Sequence, residues 1–173
     1  MHKKLLYLIL TLFLTACGFH MRGYMSLPDS LQRIAIEPNT PYLPLQNELS
    51  EMLRYNGATI VTAAQHPTSI LYIKSDQFRT EDTSIGADGR VREKSYIYTI
   101  VYELKTPKGA TLMGPETLSN ERIVEFDPNA VLSQTSEEHI IRNELRNDVI
   151  NKLMRRLAYA PKTPPKKSTV TEE

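Results

Sequence analysis

Residues 69 to 105 form two long runs on either side of Ala87-Asp88-Gly89-Arg90. Asp-Gly is a strong short-range signal for a two-residue type I′ hairpin turn. Two strands of about sixteen residues extend ~50 Å, and the rest of the chain must supply something to cover them. With Asp88 and Gly89 as the turn, Ala87 faces Arg90, and Lys74 falls opposite Glu103 as an opposite-charge cross-strand pair. This register gathers Leu71, Ile73, Ile100, Tyr102 and Leu104 on one face. The other face takes Lys74, Asp76, Thr80, Asp82, Glu93, Ser95 and Glu103, with Tyr72, Phe78, Ile97 and Val101 among them.

The covering elements flank this hairpin. Leu31-Gln32-Arg33-Ile34-Ala35-Ile36 alternates and stops at Glu37-Pro38, a short strand. Thr40 or Pro41 then opens a helix in which Leu45, Leu49, Met52 and Leu53 share a stripe, and Asn56-Gly57 stops it. A last helix starts near Thr135-Ser136-Glu137-Glu138, whose hydroxyls and carboxylates suit a helix N-terminus. Its stripe is Ile141, Leu145, Val149, Leu153 and Leu157. A second hairpin turns at Pro107-Lys108-Gly109-Ala110. Its return strand, from 112 to 126, needs a bulge near Gly114-Pro115 to bring Leu118, Val124 and Phe126 to the core instead of Glu121 and Glu125. The order is β-α-β-β-β-α, an α+β domain with the helices on the apolar face of the sheet.

The N-terminus reads as a targeting segment. Lys3 and Lys4 precede an apolar run over residues 5–14, too short to span a ~30 Å hydrocarbon layer. The run ends in Leu14-Thr15-Ala16-Cys17, which resembles a bacterial lipobox. Residues 1–16 are then a signal peptide cut before Cys17, the single cysteine of the chain, whose thiol and new amine carry acyl chains. Several chains anchor firmly, at ~0.8 kcal/mol per buried CH₂. Gly18, where sorting rules place aspartate for inner-membrane retention, directs the expectation to the outer membrane. Removal of Lys3 and Lys4 leaves basic and acidic residues nearly balanced, so no nucleic-acid partner is expected. Residues 17–159 form one domain. From 160 to 173 the run of prolines and lysines has no apolar face and is expected to be disordered.

The chemistry-bearing residues do not assemble into a catalytic pattern. No serine stands in a nucleophile-elbow context, the seven glycines make no phosphate loop, and Glu138-His139 lacks a second histidine one turn away. Glu48 and Glu51 read as a solvated helix face. No metal, cofactor or enzymatic activity is expected. The hairpin's outer half is more distinctive. A thirteen-residue helix of ~20 Å cannot cover strands of ~50 Å, so Tyr98, Tyr96, Lys94, Arg92 and Arg90 should project on one face, with Arg79 across from Tyr98. Such a strip suits an anionic amphiphile, cations meeting phosphates and rings meeting sugars or acyl chains. It equally suits charges that merely keep a projecting strand pair soluble.

Cys17-Gly18-Phe19-His20-Met21-Arg22-Gly23 resembles the start of the mature LptE family, the lipopolysaccharide-assembly lipoproteins once called rare lipoprotein B. Leu53-Arg54-Tyr55-Asn56-Gly57, Phe126-Asp127-Pro128-Asn129 and Ile140-Ile141-Arg142 also fit, and element order agrees over residues 17–159. The resemblance implies a two-layer sandwich, a four-stranded mixed sheet with two helices on one face. It implies a lipid-anchored outer-membrane protein that plugs and helps assemble the LptD β-barrel and helps deliver lipopolysaccharide to the outer leaflet. Lipopolysaccharide contact would fall to basic side chains. The loop read at Ala130-Val131-Leu132-Ser133-Gln134 has none, which leaves Arg79, Arg90, Arg92, Lys94, Tyr96 and Tyr98 as candidates. A lipoprotein chaperone for a secretin, or an accessory of another envelope lipid-transport complex, is the competing reading.

Overall fold

The computed structural model describes residues 25–38, 43–125, 131–161 and 163. A short 3-10 turn at Asp29–Leu31 leads into β1 (Arg33–Pro38), α1 (Leu43–Tyr55), β2 (Thr59–Ile60), β3 (Ser69–Ile85), β4 (Val91–Lys105), β5 (Thr111–Glu125) and α2 (Val131–Ala158). The sheet order is β2-β1-β3-β4-β5, with β1 parallel to β2 and β3 and the rest antiparallel. The sheet therefore has five strands, not four. The extra one is two residues long and lies in the β-branched run Thr59-Ile60-Val61, directly after the helix stop. Gly57 makes that stop, with φ 90° and a bond from its N–H to the Arg54 carbonyl at 2.9 Å.

Both helices pack on one face. The α1 stripe of Leu45, Leu49 and Leu53 and the α2 stripe of Ile141, Leu145, Val149, Leu153 and Leu157 are buried, as their spacing predicts. They meet Leu71, Ile73, Ile100, Tyr102 and Leu104 in one core. A buried Arg146 on α2 ties the helices together, donating through Nε to Glu48 Oε2 at 2.8 Å and through Nη2 to Oε1 at 2.6 Å. Glu48 is thus a structural partner and not simply part of a solvated face. Lys152 reaches from α2 to the Ser119 carbonyl at 2.8 Å, occupying an acceptor on the open edge of β5.

Two details of the hairpin and one of the last helix depart from the sequence expectation. Gly86 pairs with Arg90 around a three-residue loop: the Gly86 N–H donates to the Arg90 carbonyl at 2.7 Å, and the Gly89 N–H to the Gly86 carbonyl at 2.9 Å. Gly89 takes φ 74° while Asp88 stays at negative φ. A type I′ turn needs both central residues at positive φ, so the loop is instead a turn closed by a glycine bulge. Next, Lys74 is bulged out between the Ile73–Tyr102 and Ser75–Val101 pairs. Tyr72 stands opposite Glu103, and Lys74 reaches Glu103 diagonally at 3.5 Å. From Ser75 to Asp82 the β3 side chains change face, so Asp76, Phe78, Thr80 and Asp82 lie on the helix side and Ser75, Gln77, Arg79 and Glu81 on the uncovered side, before the register shifts again at Ser84. Finally, α2 begins at Val131 and has 28 residues, so the Val131–Gln134 stretch read as loop is helical. The bulge expected near Gly114-Pro115 is present: the register moves by one between Tyr102–Glu116 and Leu104–Met113, sending Leu118 to the core and Glu121 and Glu125 away from it.

Candidate functional site

The six hairpin candidates do not form one strip. The longer α2, about 42 Å at helical rise, runs over the hairpin's outer half. Tyr96 is 7% exposed and Tyr98 1% exposed, so the expectation that they project is corrected. Phe78 stacks on Tyr96 with ring centroids 6.1 Å apart, and the Arg142 guanidinium of α2 sits 4.3 Å above the Phe78 ring. Burial raises the Tyr96 hydroxyl pKa, with the Glu138 and Glu137 charges adding to it. Arg79 pairs with Ile97, not Tyr98, and lies on the opposite face, where its Nε donates to Glu81 at 2.8 Å. The signal that could have revealed this is Phe78 itself. The odd interval from Ile73 to Phe78 cannot keep both aromatic and aliphatic residues inside without a bulge.

At the tip, charge is paired. Arg92 Nη2 donates to Asp88 Oδ2 at 2.8 Å. A Cβ on Gly86 would come within 2.7 Å of both Arg92 Nε and Asp88 Oδ1, so the glycine lets this pair close over the turn. Lys94 is half-buried opposite Asp82 and beside Val124. Arg90 is exposed at the turn. The tip therefore offers Arg90, Arg92 and Lys94 among acidic neighbours.

The larger polar surface is the uncovered sheet face. Ser75, Gln77, Arg79 and Glu81 of β3 lie beside Ser95, Thr99 and Glu103 of β4 and Thr117, Ser119 and Glu121 of β5. Cross-strand bonds join it: Thr99 and Ser119 hydroxyls at 2.9 Å, and Ser95 donating to Glu121. Glu103 is buried yet charged. Its burial alone would raise its pKa, but Lys105 at 3.1 Å and Lys74 overcome that and hold it below the usual range. Ile97 and Val101 are the aliphatic residues of its central strand.

Among the described residues no three His, Cys, Asp or Glu side chains are placed to hold a metal, and no helix is long and apolar enough to cross a membrane, which leaves strands unaddressed. His139 is exposed, its Nδ1 3.2 Å from Asn143 Nδ2. Cys17, the 1–16 segment, the 17–23 motif and Phe126-Asp127-Pro128-Asn129 lie outside the described residues. Ala160 is buried against the core, so the packed domain includes the first residue of the expected tail; residues 164–173 also lie outside.

A five-stranded sheet with one polar face open and two helices on the other defines a small two-layer α+β protein. The solution structure of lipoprotein B from Nitrosomonas europaea has this fold, with TM-score 0.69 and 23% identity over 82% of this chain and 90% of that one. The rare lipoprotein B crystal structure from Shewanella oneidensis gives 0.64 and 22% over 73% and 93%. A family model described as LptE, lipopolysaccharide-assembly, matches residues 31–157. The LPS-assembly lipoprotein LptE of Pectobacterium atrosepticum is 30% identical over 162 residues, covering 91% of this chain and 86% of its own length. That of Photorhabdus laumondii is 26% identical over 160 residues, covering 91% and 87%. The chain belongs to the LptE family.

Proposed function

We propose that this chain is a lipid-anchored outer-membrane protein of lipopolysaccharide assembly that fills the lumen of the LptD β-barrel and presents its uncovered sheet face to the barrel wall. The observation that carries this reading is the chemistry of that face. A barrel lumen is polar, and a plug must meet it with hydroxyls, amides and paired charges. Ser75, Gln77, Thr99, Thr117 and Ser119 provide such a surface, with Arg79–Glu81 and Lys74–Glu103 already paired. Membership of the LptE family supports the role in lipopolysaccharide assembly, and the Pectobacterium and Photorhabdus relatives carry that role in their names. Acylation of Cys17 supplies the anchor in this reading.

Photocrosslinking amino acids at Gln77, Thr99 and Thr117 are the test. They should capture a large heat-modifiable outer-membrane protein, while probes on the solvent side of α2 should not. Labelling of lipid or soluble proteins alone would discard the lumen reading. The tip's part in lipopolysaccharide delivery is separable. Replacing Arg90, Arg92 and Lys94 together by glutamate should weaken lipopolysaccharide binding at least about tenfold, since charge-assisted contacts contribute ~1.5–3 kcal/mol and less under water screening. Co-purification of the barrel should persist. Unchanged binding would return the three cations to a solubilising role.

A further inference from the structure

We infer that the end of the molecule where both helices finish is a docking surface for the anionic phospholipid headgroups of a bilayer. The inference goes beyond the barrel-plugging reading and shares with it only the anchor at Cys17.

The topology assembles this end from distant parts of the chain. The α1 C-terminus leads through Gly57 into β2, whose first residue pairs with Arg33 at the start of β1. The start of β1 is level with the start of β3, through Ile34–Ser69, and with the end of β4, through Ile70–Lys105. The start of β5 follows at Lys105–Thr111. Contacts from Arg122 to Glu144, Asn120 to Asp148 and Ser119 to Lys152 show α2 running antiparallel to β5, so α2 ends here too. The N-terminal segment enters at the same place, where the Met25 N–H donates to Asn56 Oδ1 at 2.6 Å. The hairpin tip lies at the far end.

Two kinds of side chain collect here. Tyr55 is 69% exposed and Tyr159 89% exposed, and among the described residues they are the tyrosines left open to solvent to this degree. Arg54, Arg155, Arg156 and Lys108 are exposed, and none of them forms a salt bridge among the described residues. Cations at helix C-termini favour the helix dipole, which accounts for the arginines but not for two bare tyrosines beside them. Tyrosine rings at headgroup depth, ringed by arginine and lysine, are the chemistry of a membrane interface. The geometry of attachment agrees. Seven residues separate Cys17 from Met25, so the eight steps between them reach at most ~28 Å, and an anchored chain holds this end close to the bilayer.

The chain has no tryptophan, so single replacements report cleanly. Tyr55→Trp, Tyr159→Trp and, at the far end, Ile85→Trp are placed in the lipidated full-length chain. Each is reconstituted into phosphatidylethanolamine–phosphatidylglycerol vesicles brominated near the glycerol backbone. Emission from positions 55 and 159 should be quenched severalfold more than from 85. High salt should relieve the quenching, and phosphatidylcholine vesicles should not reproduce it. Replacing Arg54, Arg155 and Arg156 by glutamine should lower the docked-to-undocked ratio by roughly a hundredfold, at about fivefold per cation near a charged surface. Equal quenching at all three positions, or equal quenching in neutral vesicles, overturns the inference. So does protection of 55 and 159 in chains that stay on the vesicles, which would assign this end to a protein partner. If the chain leaves the vesicles and mass spectrometry finds Cys17 unmodified, the anchor fails and takes this inference with it. The lumen reading is judged separately by the crosslinks from Gln77, Thr99 and Thr117.

Discussion

The covered face of the sheet has two halves built by different chemistry. Near the helix C-termini, Leu71, Ile73, Tyr102 and Leu104 pack under both helices, against Leu49, Leu53, Leu153 and Leu157. Toward the hairpin tip only α2 is present, and the face beneath it is Asp76, Phe78, Tyr96, Tyr98 and Lys94. There Arg142 lies on Phe78 and pairs with Glu138 at 2.8 Å, and Arg122 pairs with Glu144. Two helices can bury aliphatic side chains from both sides. One helix cannot, so flat rings and long polar stems fill the wider space beside it. The hairpin's length is supported by a second, more polar interface, which should open before the first.

The largest effect should come from the aliphatic half. Leu153→Ala removes a fully buried side chain and should cost about 2–5 kcal/mol. Urea unfolding should show a lower midpoint with an unchanged slope. A change confined to the tip-side half would mean that the halves are not one cooperative unit.

Next comes the link between the helices. Arg146→Ala leaves Glu48 without its two-bond partner and should cost about 3 kcal/mol, near the low end for breaking a buried pair because Glu48 retains some contact with water. Replacing Glu48 and Arg146 together by leucine should recover most of the loss. A double variant no better than the single one would show that Arg146 acts through Asn143 or Asp76 instead.

A smaller effect is expected on the polar half. Phe78→Leu removes the cation–π contact and the ring stack, and should cost about 1–2 kcal/mol. Its signature should be local: faster amide exchange over residues 136–145, with little change near Leu153. Uniformly faster exchange would make the two halves equivalent.

These two halves were unequally legible in the sequence. The aliphatic half is readable because Leu49, Leu53, Leu153 and Leu157 repeat at helical spacing, and Leu71, Ile73, Ile100, Tyr102 and Leu104 stand two apart on one strand face. The outer half was not, because its register turns on one bulged residue, Lys74, and on a closing glycine at 89 rather than the Asp-Gly pair alone. One slipped residue exchanges faces, so a register counted from the turn alone puts Asp76, Thr80 and Asp82 on the open face and Arg79 on the covered one. The length of α2 was hidden for a different reason. Ser136-Glu137-Glu138 makes a good helix start, yet the helix continues upstream to Val131 through Thr135 and Gln134. That upstream extension and the register slip together moved Tyr96 and Tyr98 from an exposed strip to a covered core. The polar character of the open face survived both errors, since Ser75, Gln77 and Glu81 are as polar as the residues they replace there.

The smallest effect separates the two faces by pH. Burial raises the Asp76 carboxyl on the covered face, while a hydrogen bond from Tyr98 and the Arg146 charge act against it. A raised acid holds a proton in the folded chain that the unfolded chain has released, so its contribution to stability falls as pH rises from about 3.8 to its higher folded value. Glu103 on the open face behaves oppositely. Its pKa lies below 4.5 despite burial, because Lys105 and Lys74 favour the charge. Its contribution is present above that value and is lost as pH falls through the lower folded one. The two slopes oppose each other in the acid range. Asp76→Asn should remove the falling slope and leave a profile that climbs steadily out of acid. Glu103→Gln should remove the climbing slope and leave the falling one. Urea midpoints measured from about pH 3 to pH 7 resolve both. A profile unmoved by Asp76→Asn would place that carboxyl in water, and with it the β3 register beyond Lys74 that turns it toward the helices.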